Sequence, residues 1–244
     1  MKLCLAGTYS REFLKDKISE SKYILESFWY VKDWQKPFIK SKHWDLFLLD
    51  SGAFSFMNSP SARNGTNYYD YLERYIKFIN ECDVDHFFEL DIDSIVGYQE
   101  VLKMRKILEQ RTGKKCIPVF HKSRGLAEWE KMCQEYDYVA IGTISEYKKN
   151  HGVLKELLKI AKKYNTKVHG LGFTINNVEE FGFYSVDSTS WLSGSRHGTI
   201  YLFKDKKITT VKKQGYRTTH YRGVDRHNIS EWNKYQKYLG ERKK

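Results

Sequence analysis

Three aspartates and a histidine stand where short apolar runs give way to polar turns: Asp50 in Leu49-Asp-Ser-Gly52, Asp91 in Glu89-Leu-Asp-Ile-Asp93, His121 in Phe120-His-Lys122, and Asp187 in Val186-Asp-Ser188. Carboxylates that converge on one pocket repel each other and lose hydration. Their proton affinities then shift, and acid, base and nucleophile roles become available. Taken singly, each residue has a plainer use. An aspartate caps a helix or pairs with a cation, and a lone histidine packs in a core. Small residues keep them company: Ser51 and Gly52, Gly142 and Thr143, Gly170 and Gly172, and the turn Ser193-Gly-Ser-Arg196.

These residues matter together only if the elements that carry them end side by side. Eight β-rich runs occur at 2–6, 46–50, 86–91, 116–121, 138–141, 167–171, 184–187 and 199–203. Several are almost continuously apolar, as in parallel strands covered on both faces. Between them lie stretches with helical spacing at 67–82, 98–110, 126–135 and 153–164. A shorter one occupies 176–181, a closing helix 229–239, and residues 12–31 are also expected to be helical. Alternation of this kind predicts an α/β fold, a single-domain (β/α)8 TIM-type barrel over residues 1–203, with its site at the C-terminal ends of the strands. The rival is an open doubly wound sheet. It would carry G-x-G-x-x-G after the first strand, where Ala6-Gly-Thr-Tyr-Ser10 stands instead.

Charge sets a further expectation. The chain of 244 residues carries +12. From Lys204 to Lys244 there are 13 Lys and Arg against 4 Asp and Glu, so most of the excess lies in one C-terminal segment, 204–244. That segment interleaves Lys212, Lys213, Arg217 and Arg222 with Tyr216, Tyr221, Trp232, Tyr235 and Tyr238. Cations beside aromatics suit phosphates and unstacked bases, so these four residues and Arg196 are candidate nucleic-acid contacts. The plainer reading is a solvated basic tail. No apolar run reaches the roughly 20 residues of a membrane span, and the apolar start is too short for a signal peptide. The expectation is a cytoplasmic protein (host cytoplasm if phage-encoded) without a membrane partner. Cys4, Cys82, Cys116 and Cys133 lack zinc spacing, and there is no H-x-H, so neither metal nor cofactor is assigned.

The ordered set of motifs resembles the tRNA-guanine transglycosylases. Asp50-Ser-Gly-Ala-Phe-Ser is similar to their D-S-G-G-F-Q, Ala140-Ile-Gly-Thr143 to A-I-G-G, and His169-Gly-Leu-Gly172 to L-M-G-V-G. Ser185-Val-Asp-Ser188, followed by Ser193-Gly-Ser-Arg196, resembles M-F-D-C and the later S-G-R. The resemblance implies a barrel enzyme that exchanges guanine in a polynucleotide for a free 7-deazaguanine base. Asp187 would be the nucleophile and Asp50 the general acid and base. Asp91 would bind the base, Gly142 and Thr143 would line its pocket with Ser51, Gly52 and His121 nearby, and Gly170 to Gly172 would form a wall. The family's zinc subdomain has no counterpart, and its glutamine after the fourth strand falls near Phe120 or His121. A compact, zinc-free chain resembles the phage and bacterial relatives that act on DNA, which favours DNA over tRNA. Rival readings are a metal-dependent hydrolase or a glycosidase using the same aspartates, and a non-catalytic nucleic-acid-binding barrel.

Overall fold

The computed structural model describes residues 1–53, 55, 67–142, 147, 151–173, 178–212, 215–216 and 218–241. Seven short strands are β1 (Lys2–Ala6), β2 (Tyr23–Ser27), β3 (Leu46–Asp50), β4 (Val119–Phe120), β5 (Tyr138–Ile141), β6 (Lys167–Gly170) and β7 (Ser185–Ser188). They form one curled, all-parallel sheet in the order β3-β2-β1-β7-β6-β5-β4. All seven run the same way, so their C-terminal ends share one rim.

Side chains alternate across this sheet. Cys4, Leu25, Leu48, Val119, Tyr138 and Ala140 fill the inside of the curl. Leu3, Ile24, Leu49, Val139, Ile141 and Val186 face the surrounding helices. The helices are α1 (Lys15–Ser19), α2 (Lys36–Lys40), α3 (Tyr68–Cys82), α4 (Asp93–Val96), α5 (Tyr98–Thr112), α6 (Leu126–Glu135), α7 (His151–Lys163), α8 (Ser193–His197) and α9 (Tyr221–Glu241). Helix α3 shows how local sequence sets the outer layer. The Asn67 side chain caps it by accepting from the Tyr69 and Asp70 N–H groups. Tyr71, Leu72, Tyr75, Ile76 and Ile79 then fall on one buried stripe. Each large apolar side chain buried there contributes about 1.5–3 kcal/mol.

The class is α/β as expected, but the sheet is not the closed eight-stranded barrel predicted from the sequence, and three segments account for the difference. Residues 86–91 form no strand. They touch β3 and the residue two before β4 only through the isolated parallel bridges Leu49↔Phe87 and Phe88↔Ile117. The Tyr75 hydroxyl sits 3.0 Å from the carbonyl oxygens of both Leu49 and Phe88. The Val119 N–H donates to the Glu89 carboxylate at 2.8 Å. The Leu49 carbonyl still accepts from the Phe88 N–H, whereas the Phe88 carbonyl and the Val119 N–H go to side chains in place of a continuing ladder.

The run expected as an eighth sheet strand leaves the sheet. It forms β8 (Ile200–Lys204), antiparallel to β9 (Lys207–Lys212). Within residues 12–31, expected to be helical, only short helical turns form before β2, which pairs with both β1 and β3.

The C-terminal helix α9 is tied into the body through buried polar groups. Gln236 donates to the Leu3 and Tyr23 carbonyls at 2.7 and 2.8 Å, and accepts from the Lys22 N–H at 2.6 Å. Asn228 bonds the Trp191 and Thr199 carbonyls and the Tyr201 N–H. Among the described residues, no helix is long and apolar enough to cross a membrane.

Candidate active site at the C-terminal rim

The register of β2 and β3 pairs Ser27 with Asp50, and alternation from Leu46 and Leu48 turns Asp50 toward the inside of the curl. The chain then reverses sharply. Gly52 has φ +83°, and a Cβ there would come within 2.9 Å of Trp29 Cβ and the Tyr71 hydroxyl, so glycine is required. The Gly52 N–H donates to Asp50 Oδ2 at 3.0 Å. Ser51 is fully buried, and its carbonyl accepts from the Tyr71 hydroxyl at 2.7 Å. These two residues shape and anchor the turn that presents Asp50. Burial, then the negative charge of Asp91 and, more weakly, that of Asp187, push the Asp50 carboxyl up to about 7. A group titrating there can give and take a proton near neutral pH.

Asp91 and His121 meet at 3.3 Å, with Asp93 3.9 Å from the same imidazole nitrogen. Burial holds Asp91 above the usual carboxylate range despite the imidazole. For His121, burial works the other way, but its hydrogen bond to Asp91 and the charges of Asp91 and Asp93 prevail and raise it. Both groups thus hold a proton more tightly than they would in water, Asp91 because of its burial and His121 because of its acidic neighbours.

Behind them is a buried ion network. Glu89 pairs with Arg105 at 2.6 Å and Arg124 at 2.8 Å, and Arg124 reaches Asp93 at 3.1 Å. The two arginines more than offset the burial of Glu89 and hold its carboxyl low. Glu89 thereby fixes the segment that delivers Asp91.

On the other side of the rim, Asp187 is the third residue of β7, and its side chain is 12% exposed. Its Oδ1 accepts from the Gly172 N–H at 2.6 Å and lies 3.3 Å from His169 Nε2. Gly172 has φ +65°, which turns its N–H toward the carboxylate. His169 Nδ1 is 2.6 Å from Ser185 Oγ, which is 2.5 Å from the Tyr138 hydroxyl.

Asp50, Asp91, His121 and Asp187, the residues with expected chemical roles, thus come together at one rim. Gly142 belongs there as well: a Cβ would come within 2.7 Å of His121 Cε1, so its bare backbone makes room for the imidazole. Gly170 packs against Phe173 and Phe183 instead, and spaces the wall without facing the site. Thr143, Lys213 and Arg217 lie outside the described residues.

Of the turn Ser193 to Arg196, Ser195 is buried. Its N–H donates to Asp225 at 2.9 Å, and its hydroxyl accepts from Arg11 at 2.6 Å. A Cβ on Gly194 would come within 2.6 Å of Val224. Only Arg196 of that group is exposed. Lys212 is exposed at the end of β9, and Arg222 is exposed over the Phe13 ring at 5.3 Å.

Sequence reasoning assigns no role to His169, Ser185 or Tyr138. The available signal was the period of two, which puts His169 on the same face as Ser185 and Asp187 of the neighbouring strand. The chain matches no protein-family model and no curated protein.

Proposed function

We propose that this protein exchanges guanine in DNA for a free 7-deazaguanine base through a covalent glycosyl-aspartate. The observation that carries this reading is the pairing of Asp50, poised near pH 7, with Asp187, clamped by a backbone N–H and an imidazole on the same rim. Two such carboxyls are what a double displacement at a sugar carbon needs.

In the first step Asp187 attacks C1′ of a deoxyguanosine. The C1′–N9 bond breaks, and Asp50 gives its proton to the departing guanine. In the second step Asp50 takes the N9 proton of the incoming base. That nitrogen then attacks C1′ and the Asp187 ester bond breaks. Two inversions retain the β configuration. Asp91 accepts hydrogen bonds from N–H groups of the base, with His121 holding its carboxylate. A site built from acceptors favours guanine-like over adenine-like edges.

The target base must leave its stack, at a cost of a few kcal/mol. Exposed Arg196, Lys212 and Arg222 would offset that cost through phosphates.

The test is incubation with labelled guanine and either duplex DNA or tRNA, followed by mass spectrometry of the nucleosides. Label is expected in DNA, and Asp187→Asn is expected to lower its incorporation by at least about 10³-fold while DNA binding persists. Incorporation into tRNA alone would move the substrate. Full exchange by the Asp187→Asn protein would remove the mechanism.

A further inference from the structure

Inside the curl, four side chains from three neighbouring strands make one continuous line. Tyr138 opens β5 and Ser185 opens β7, so both lie at the N-terminal end of the sheet. His169 stands midway on β6, and Asp187 is at the rim. The spacings are 2.5 Å from Tyr138 hydroxyl to Ser185 Oγ, 2.6 Å from Ser185 Oγ to His169 Nδ1, and 3.3 Å from His169 Nε2 to Asp187 Oδ1. Ser185 and His169 are fully buried and Tyr138 nearly so.

Burial decides the direction of every proton. A phenol carries one hydrogen, and among the described residues the hydrogen-bond partner of Tyr138 is Ser185. Pointing that hydrogen elsewhere would strand a buried donor. Tyr138 therefore donates to Ser185. The serine, with one hydrogen of its own, donates to Nδ1. The imidazole then accepts at Nδ1, carries its hydrogen on Nε2 and donates to Asp187. Bonds aligned head to tail polarise one another and strengthen the last one.

We propose that Tyr138, Ser185 and His169 are positioning residues that lock the His169 tautomer, so that Asp187 Oδ1 is held and Oδ2 is the oxygen that attacks C1′. The assignment rests on Asp187 being the nucleophile. Both hydrogen bonds that Asp187 makes among the described residues, from Gly172 N–H and from His169, fall on Oδ1. An oxygen so engaged has its lone pairs committed, and its partner is the freer nucleophile. The imidazole is also fixed from the side, since the Phe88 ring lies 5.3 Å from it.

The experiment is nitrogen NMR on the full-length protein labelled at histidine, with His169 signals identified by their loss in His169→Gln. The wild-type imidazole is expected as the Nε2–H tautomer with an unprotonated Nδ1. Ser185→Ala should abolish that preference and lower kcat for guanine exchange about tenfold at unchanged KM. Tyr138→Phe, which keeps the ring, should do the same to a smaller degree and covers the case that Ser185→Ala does not fold. An Nδ1–H tautomer in the wild type, or unchanged imidazole signals in both variants, overturns the relay whatever the activity. Absence of exchange by the wild-type protein instead removes the nucleophile role on which it builds.

Discussion

Two carboxyls sit near the C-terminal ends of neighbouring strands and are both pushed up to about 7, yet they belong to different parts of the molecule. Glu26 on β2 is opposite Leu49 in the register, and Asp50 on β3 is opposite Ser27. One residue of offset puts them on opposite faces of the sheet. Glu26 is fully buried in the helix-side layer, where it accepts from the Thr8 N–H and hydroxyl, and burial alone raises it against those bonds. Asp50 faces the inside of the curl, where burial acts together with the charges of Asp91 and Asp187. A shifted pKa therefore marks a buried acid, and convergence with other acids marks a site. By that criterion Glu26 holds the turn after β1 in place, and Asp50 belongs to the proposed site.

The largest test of this contrast is Asp50→Asn. The first displacement needs a proton on Asp50, so the wild-type exchange rate should fall as pH rises through about 7. The variant should lose that limb and about 10²–10⁴-fold in rate. Initial rates of guanine incorporation from about pH 5.5 to about pH 8.5 check both. An unaltered rate and profile would make Asp50 another Glu26.

Glu26→Gln should do the reverse. Between the ordinary glutamate value and about 7, the native protein keeps a proton that the unfolded chain has released. Glu26 therefore costs stability as pH rises through that window, by about 3 kcal/mol at the top. Asp50, Asp91 and Asp225 are raised as well, so the quantity to compare is the wild-type slope against that of the variant. Urea unfolding at about pH 5 and 8 should show a flatter dependence in Glu26→Gln, with the pH profile of exchange unmoved. A shifted profile would bring Glu26 into the site.

The smallest effect is expected from Gly142→Ala. Its methyl would press on the His121 ring and cost about 1–2 kcal/mol. It would also loosen the Asp91–His121 pair, so His121 should titrate lower, which proton NMR of the imidazole can follow. An unchanged His121 would mean that the rim is more plastic than its packing implies.

Much of this arrangement was legible in the sequence, for definable reasons. Helical spacing in 67–82 and 126–135 located α3 and α6 because an exposed face and a buried face repeat at a fixed angle. Asp50, Asp91 and Asp187 were found because each follows an apolar run. Tyr23-Ile-Leu-Glu-Ser27 was hidden: five residues inside a mixed stretch fit a helix as well as a strand, and pairing with two neighbours decided the matter. The run at 199–203 has real strand character, but nothing local says that its partner is β9. Residues 86–91 fail as a strand because of Tyr75 and the Glu89 side chain, interactions no single run reveals. His169 escaped notice because its role comes from Ser185 and Asp187 on the next strand.

The amide of Gln236 also has a consequence for the timing of synthesis. Strand β1 lies in the middle of the sheet, between β2 and β7, and the main chain around it at Leu3 and Tyr23 is closed by a side chain from α9. Strand β1 thus waits for residues made more than 180 positions later. At usual elongation rates that interval is roughly 10–40 s. During it β1 presents an unpaired apolar edge, the kind of surface that chaperones cover and that aggregates when they do not. A nascent chain stalled before α9 should therefore be protease-sensitive throughout, and protection should arrive in a single step when α9 emerges.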